Sequence, residues 1–457
     1  MTPVLNSFTF QTISEEDVHR IISSMKTSKS AGTDKISVKL IQAAGKTILN
    51  TLKNIFNLSL NTGIFPDDWK IARVTPIFKS DNKTDCGNYR PISIISNVAQ
   101  IFEKAVYSQL ITFLNENKVI VENQSGFRTN HSTETTLLHS ITNYLANMDK
   151  ALINGVVFID FKKAFDTVDH TILLAKLERC GIRETPLKWF RSYLHQRKQV
   201  CKINNAVSNA AHINCGVPQG SNLGPLLFNL YINDLPNCLQ TTSASMFADD
   251  TNLSCKGKTS ADIEYKLNCD LANIQKWLIS NKLTLNRTKT EYMLIGSQQR
   301  LDKIIKTPTI LFGEHEIKRV REKTVLGLII DEQLKWNKHN NEQCKKISKS
   351  IALLRKARDF VSQEELVKIY NSLVLPHFNY CSTIWNDNNK SHIDKLSKLQ
   401  KRAARIITSS DYTIRSSQVF ETLQWHPIKK LLDKRDLIMM FKILKNMAPN
   451  YLTTMFR

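Results

Sequence analysis

No apolar run in this sequence approaches the roughly 18 residues that a membrane-spanning helix needs. The first residues, MTPVLNSFTFQ, have neither a basic n-region nor a long apolar h-region, so no secretory signal is expected. Cys86, Cys180, Cys201, Cys215, Cys238, Cys255, Cys269, Cys344 and Cys381 are scattered and odd in number, and they include no CxxC pair. That spacing speaks against a zinc site and a disulfide framework, and it suits a reducing intracellular compartment. Internal repeats and low-complexity linkers are lacking too. Acidic residues are scarce beside basic ones, 41 Asp and Glu against 63 Lys and Arg, for a net charge of +22. Such an excess points to a polyanionic partner; a surface charged for solubility alone is the plain alternative.

What is present is an ordinary hydrophobic content of 42% in 457 residues. That length exceeds one compact core, so two to four subdomains are expected. Residues 14 to 28, SEEDVHRIISSMKTS, predict a helix capped by Ser14, with Val18, Ile21, Ile22 and Met25 on one apolar face. A long helix is expected over 38 to 62, stopped by Gly63 and Pro66. VTPIFKS reads as a strand, SDNKTDCGNYRP as a polar loop, and VVFID, 156 to 160, as a short buried strand. MFA and NLSC read as short strands flanking Asp249 and Asp250, and VLGLIID, 325 to 331, as another. Beyond residue 335 the pattern turns helical. SQEELVKIYNSLV and SHIDKLSKLQKRAARII open on capping pairs, Ser362 with Glu365 and Ser391 with Asp394. From 335 to 457 there are 23 Lys and Arg against 10 Asp and Glu. A basic helical tail behind a mixed α/β body suits a nucleic-acid clamp.

The run SASMFADDTNLSC places two carboxylates side by side among apolar residues, where an unpaired carboxylate is costly. Neighbours on a regular strand point to opposite faces, so Asp249 and Asp250 can share a site only if a hairpin tip redirects them. A plain polar turn is the alternative. Asp160, at the end of VVFID, adds a third carboxylate from another strand end. Three such groups suit two Mg²⁺ ions roughly 3.5–4 Å apart, with Mn²⁺ as a substitute, and hence phosphoryl transfer.

FIDFKKAFDTVDH (158–170), GVPQGSNLGPLLFNLYINDL (216–235), MFADDTNL (246–253), LTLNRTKTEYMLIG (283–296) and LGLIID (326–331) stand in the order of reverse-transcriptase motifs A to E. Upstream, FPDDWKIARVTPIFKSDNKTDCGNYRPISIISNVAQIFEK and QSGFRTNHST resemble the finger motifs of non-LTR, LINE-type retrotransposons, close to the jockey group. The resemblance covers nearly the whole chain. It implies an α/β (α+β) right-hand polymerase, with an N-terminal helical extension of the fingers at 1–70. Fingers and palm, an antiparallel sheet plus helices, would follow at 71–335, and a basic, mainly helical thumb at 336–457. It implies RNA-directed DNA synthesis from dNTPs on an RNA template and a DNA primer, inside the cell and in the nucleus. LINE-type elements usually carry an endonuclease ahead of the polymerase; its absence here leads to the expectation of a truncated copy or a partial gene model. An inactive remnant that only binds nucleic acid is the alternative. A polymerase copying RNA into RNA, a group II intron maturase and a telomerase are related readings.

By the same resemblance Asp160, Asp249 and Asp250 are the metal ligands, with Phe247 where many relatives have Tyr. Phe165, five residues after Asp160, is a steric gate against a 2′-hydroxyl, or else a core aromatic. Phe161, Gln219 and Gly220 belong to the nucleotide site, Gly220 letting backbone approach a ligand closely. Lys79 and Arg90 grip the triphosphate, Arg through its fork of donors. Lys289 protonates the leaving pyrophosphate, or is a surface lysine. Gly327 shapes the primer-grip hairpin. Asp166 and Asp169 cap and charge the following helix, and Ser221 and Asn222 cap as well. Arg128 touches the template backbone or braces the fingers. In the tail, Lys398, Lys401, Arg402 and Arg405 reach outward to a duplex while Ala403, Ala404, Ile406 and Ile407 face the core.

Overall fold

The computed structural model describes residues 3–79, 82–204, 206–386 and 389–455; Ser80 and Asp81 of the expected polar loop lie outside them. The described strands, in chain order, are β1 Ile71–Phe78, β2 Tyr89–Ile94, β3 Ile153–Ile159, β4 Arg197–Ile203, β5 Ala206–Val207, β6 Ala211–Ile213 and β7 Ser243–Phe247. They continue with β8 Asp250–Gly257, β9 Glu291–Ile295, β10 Leu311–Phe312, β11 His315–Glu316, β12 Lys318–Arg319, β13 Glu322–Val325 and β14 Leu328–Asp331. Mixed helices and sheets match the expected fold class. Two compact units interleave along the chain: Met1–Phe127, Asp160–Gln240 and Asp270–Arg287 form one, and Arg128–Ile159, Thr241–Cys269 and Thr288–Arg457 form the other.

In the first unit the helix Glu15–Ser23 opens on a capping box, Asp17 N–H donating to Ser14 Oγ and Ser14 N–H to Asp17 Oδ2, each at 3.1 Å. The expected long helix is broken into Val38–Ala44, a 3₁₀ turn Gly45–Ile48, and Leu49–Thr62. Gly45 takes φ +55°, outside the helical region, while the apolar spacing carries on across it and hides the break. Gly63 ends the second piece at φ +69°, as its position predicts. Buried aromatics hold this unit: Phe56 stacks on Phe102 at 4.7 Å, and Phe65 meets Trp189 and Tyr193 edge-on at 5.4 and 5.1 Å. Rings of this size supply the largest apolar area per residue. The unit's sheet runs β2-β1-β4, with β5 and β6 both paired to β4. β1 is antiparallel to β2 and parallel to β4.

In the second unit the sheet runs β12-β9-β3-β8-β7, and every residue of the central strand β3 is buried. On one face Val156 and Phe158 join Leu137, Ile141 and Tyr144 of the helix Thr133–Asp149. On the other, Gly155 leaves no room for a side chain, because a β-carbon there would lie 2.3 Å from Ile263 Cγ2. VLGLIID is not one strand. It is the turn and second strand of the β13–β14 hairpin, with Leu326 and Gly327 both at positive φ, the mirror-image turn that suits a two-residue loop. Ser362 and Glu365 make the expected capping box of the helix Gln363–Leu373. The helix Lys390–Thr408 is capped two residues earlier than expected, Asn389 Oδ1 accepting from Ser391 N–H at 3.0 Å. Among the described residues no helix is long and apolar enough to cross a membrane, and none of the nine cysteines is joined in a disulfide.

His339, 2% exposed, ties the helix Asn337–Ala357 to β14 by accepting from Ile329 N–H at 3.3 Å through Nδ1. Burial, helped by the nearby Lys346 charge, pushes its imidazole down to about 4. An unfolded His titrates near 6.5, so below that pH the unfolded chain takes up a proton that the folded one refuses. This group should therefore cost nothing above pH 6.5 and up to about 3 kcal/mol of stability as pH falls to 4. Denaturant unfolding of the protein and of His339→Gln, at pH 7.5 and at pH 5, checks this. The variant should lose less stability between the two; an equal loss would assign the acid sensitivity elsewhere.

Candidate active site

In the second unit, β7 and β8 pair with Phe247 opposite Asp250, so Ala248 and Asp249 alone make the turn. Ala248 takes φ +55°, the positive value such a tight hairpin asks for. Asp249 sits in the turn, half-buried, and Asp250 is the exposed first residue of β8. The pair is thereby freed from the opposite-face rule of a regular strand. β3 lies beside β8 with Ile159 opposite Thr251, and Asp160 is the next residue of the chain. All three donors are carboxylates. Mg²⁺ takes one or two such groups and completes its shell with water and phosphate oxygens, so the donor chemistry fits that ion. Among the described residues no group of three or more His, Cys, Asp or Glu is gathered closely enough to hold a metal ion.

The expected nucleotide-site residues gather in the first unit. Phe165 and Asp166 belong to a 3₁₀ turn, Ala164–Asp166, that is hydrogen-bonded to the PQG loop. Val217 N–H donates to Phe165 O at 2.9 Å, Gly216 N–H to Val168 O at 2.7 Å, and Gln219 Nε2 to Asp166 Oδ1 at 2.8 Å. The Phe165 ring is half-buried and stacks on Phe228 at 4.1 Å. Phe161 is buried and bridges Leu285. Asp166 is no helix cap: its carboxylate orients Gln219. Burial raises its pKa, while the Gln219 hydrogen bond pulls the other way. Asp169 does cap, accepting from Ile172 N–H at 3.0 Å, and the Lys282 ammonium at 2.7 Å holds its carboxyl below the usual range.

Gln219 O also accepts from Ser93 N–H of β2 at 2.7 Å. Gly220 has φ +132°, and a β-carbon there would lie 2.3 Å from Ser93 O, so the close approach it permits is to β2. Ser221 Oγ accepts from Gly224 N–H at 2.8 Å, but the N-cap position of the helix Gly224–Ile232 falls to Leu223, which has no side-chain cap, so Ser221 is not the cap residue expected. Asn222, expected to cap, is turned the other way: its N–H donates to Glu103 Oε2 at 2.7 Å and its Nδ2 to Gln100 O at 2.9 Å. Sequence reasoning missed Glu103. It is fully buried on the helix Asn97–Glu116, accepts from Tyr193 Oη at 2.8 Å, and has its pKa raised by burial against the opposing charge of Arg197. The signal was a lone acid in the apolar stretch IFEKAV. On the β1–β2 ribbon, Ile77 lies opposite Arg90, and Lys79, two residues on, bonds Asn88 O through its N–H at 2.9 Å. Strand alternation puts the exposed Lys79 and Arg90 on one face.

In the second unit Lys289 is exposed in the turn before β9, its carbonyl accepting from Lys323 Nζ at 3.1 Å. Tyr380, also missed, holds the tip of the β13–β14 hairpin: its hydroxyl donates to Leu326 O at 2.7 Å, and its ring would lie 3.1 Å from a β-carbon on Gly327. Arg128 is half-buried. In the helix Lys390–Thr408, Ala403, Ala404, Ile406 and Ile407 are buried as expected, and Lys398 and Arg402 are exposed. Lys401 is half-buried. Arg405 does not simply reach outward: near the helix end the chain turns back beside it, and its Nη2 donates to Ile414 O at 3.0 Å.

The profile of the family "Reverse transcriptase (RNA-dependent DNA polymerase)" matches residues 79–330. The "RNA-directed DNA polymerase from mobile element jockey" of Drosophila melanogaster is 27% identical, over 99% of this chain and 48% of its own. The "Probable RNA-directed DNA polymerase from transposon X-element" of the same organism is 24% identical, over 89% of this chain and 45% of its own. The type-1 retrotransposable element R2 polyprotein of Popillia japonica is 28% identical, over 51% of this chain. The chain spans about half the length of the first of these curated relatives.

Proposed function

The chain belongs to the reverse transcriptase family, and from that premise we propose that it is the RNA-directed DNA polymerase of a LINE-type, jockey-like element. The observation that carries this reading is Asp249 in the two-residue turn between β7 and β8, beside a β3 that runs straight into Asp160. Reverse transcriptases generally work with divalent metal ions. Asp160, Asp249 and Asp250 would hold two Mg²⁺ ions, or Mn²⁺ in their place. Such ions, when bound, activate a primer 3′-hydroxyl and neutralise the leaving pyrophosphate. The chain's own residues do the rest. Arg90 and Lys79 meet the triphosphate with charge-assisted hydrogen bonds. Phe161, Gln219 and Gly220 shape the nucleotide site, with Gln219 steadied by Asp166. Lys289 supplies a proton to the pyrophosphate. The Gly327 turn steadies the primer, and Lys401, Arg402 and the helix that Arg405 braces face the primer–template duplex. Insertion into chromosomal DNA puts this work in the nucleus. Extension of a DNA primer on an RNA template with labelled dNTPs and Mg²⁺ tests the reading; no extension under any divalent ion would overturn it.

Phe165 decides the sugar. Its ring is braced from behind by Phe228, so it has little room to yield to a 2′-hydroxyl. Overpacking a tight site costs about 1–3 kcal/mol. Phe165→Val should therefore raise ribonucleotide incorporation relative to deoxynucleotide about 10- to 100-fold. An unchanged ratio with a loss of stability would make the ring a core aromatic only.

A further inference from the structure

In the second unit, the helix Ile428–Leu444 is apolar on two opposite sides. One side carries Ile428, Leu432, Met439 and Ile443, all buried. The first two join the unit's main core, and the last two join a smaller cluster with Ala448 and Leu452. The other side carries Leu437, Met440, Phe441 and Leu444, which are 72%, 36%, 55% and 64% exposed. They stand at i, i+3, i+4 and i+7, the spacing of a single stripe along a helix. A surface helix ordinarily turns charged residues to that side, whereas stripes of this spacing are the seams by which helices pair. With the exposed Ile438 and Met447 beside it, the stripe bares roughly 600 Å² of apolar surface, as much as the largest patch on an ordinary monomer. Its order is symmetric: Leu-x-x-Met-Phe-x-x-Leu reads almost alike in both directions about a point between Met440 and Phe441. A second copy laid antiparallel on it brings Leu437 level with Leu444 and Met440 level with Phe441. A two-fold interface requires such a patch, complementary to itself. Two copies would bury roughly 1,200 Å², which reaches the range of stable interfaces.

We propose that this stripe is a self-association surface, on which the helix Ile428–Leu444 pairs antiparallel with its counterpart in a second copy of the chain. The two-fold axis passes between Met440 and Phe441. Charge adds a condition. Lys434 and Lys445 are exposed, seven residues before and four residues after Phe441, and so lie on the same flank of the stripe. The axis keeps that flank on its own side, so Lys434 of one copy comes beside Lys445 of the other. Pairing therefore works against like charge, and salt should strengthen it by screening. A partner with an acidic flank would suit the same lysines, but salt would weaken that pair. The proposal goes beyond the polymerase reading and does not depend on it.

The test is sedimentation equilibrium of the whole chain up to about 100 μM, in about 0.1 and 0.5 M salt. Half of the chains should be paired at about 1–10 μM in the higher salt. The dissociation constant should be about 3- to 10-fold larger in the lower. Leu437→Gln/Phe441→Gln changes two exposed positions that the core does not use, and should weaken pairing at least about 50-fold. Lys434→Glu/Lys445→Glu reverses the flank without touching the stripe. Mixed with the parent in the lower salt, it should form a heterodimer about 5- to 10-fold tighter than either homodimer. That advantage should vanish in the higher salt. Chains that stay single at about 100 μM in both salts would overturn the proposal. Pairing that survives Leu437→Gln/Phe441→Gln would place the interface elsewhere and overturn it too. Pairing that salt weakens would mark attraction between opposite charges, and a mixed pair no tighter than the parent's own would exclude the antiparallel two-fold; either result overturns it.

Discussion

Asp249→Asn should lower primer extension by about 1,000-fold or more while leaving the fold intact. The side chain is nearly isosteric, and Asn is at home in tight turns. The turn is set by Ala248 at positive φ and by the five residue pairs of the β7–β8 ladder, none of which changes. Stability should stay within about 0.5 kcal/mol of the parent. What goes is a negative charge at the point where two ions and a triphosphate would meet. Electrostatic groups aimed at developing charge are worth about 10²–10³ each in rate, and ion positioning is lost in addition. Primer–template affinity should hold or rise, because one source of repulsion towards phosphate is removed. Asp160→Asn should behave alike. Extension that survives Asp249→Asn undiminished would remove the assignment of this turn as the catalytic centre.

Gly220→Ala should be nearly as damaging by another route. A β-carbon 2.3 Å from Ser93 O meets backbone, which has no rotamer to escape into, and φ +132° is a region that L side chains rarely adopt. Relief requires the PQG loop to leave β2, breaking the 2.7 Å bond from Ser93 N–H to Gln219 O and pulling Gln219 away from Asp166. Backbone strain and overpacking each cost about 1–3 kcal/mol, so a total of roughly 2–6 kcal/mol is expected. The KM for dNTP should rise at least tenfold. Ser221→Ala, one residue on, removes the hydroxyl's hydrogen bonds with Gly224 N–H and Pro218 O and should cost about 1–3 kcal/mol. A Gly220→Ala protein with the parental KM would show that the loop stands apart from the nucleotide site.

Much of this was legible because the signals were local. The Ser14 and Ser362 capping boxes, the stop at Gly63 and the turn between MFA and NLSC each depend on residues within four positions of one another. Errors arose where two local rules competed. Over 38–62 an unbroken apolar rhythm concealed Gly45, and at the head of Lys390–Thr408 Asn389 took the capping position from Ser391. Asp166 looked like a cap because it precedes a helix; its partner Gln219 lies 53 positions away. Glu103 and Asn222 are 119 apart and Tyr380 and Leu326 54 apart, distances at which no spacing rule operates. The strands β4 to β6 escaped because RKQVCKI and AHI are short and partly charged, and their pairing with β1 is a tertiary fact.

The aromatic cluster of the first unit bears on how the protein can be divided. The span that matches the family begins at residue 79, one position after β1 ends. Phe56, Phe65 and Trp69 lie before it, while Phe102, Trp189 and Tyr193, against which they pack, lie within it. A fragment cut at that boundary would lose the strand that joins β2 to β4 and bare two unpaired edges beside a wall of exposed rings, the combination that drives aggregation. The polymerase motifs are therefore not a portable cassette. Residues ahead of the matched span are part of the first unit's foundation, and any excision, graft or split-protein design must carry them along.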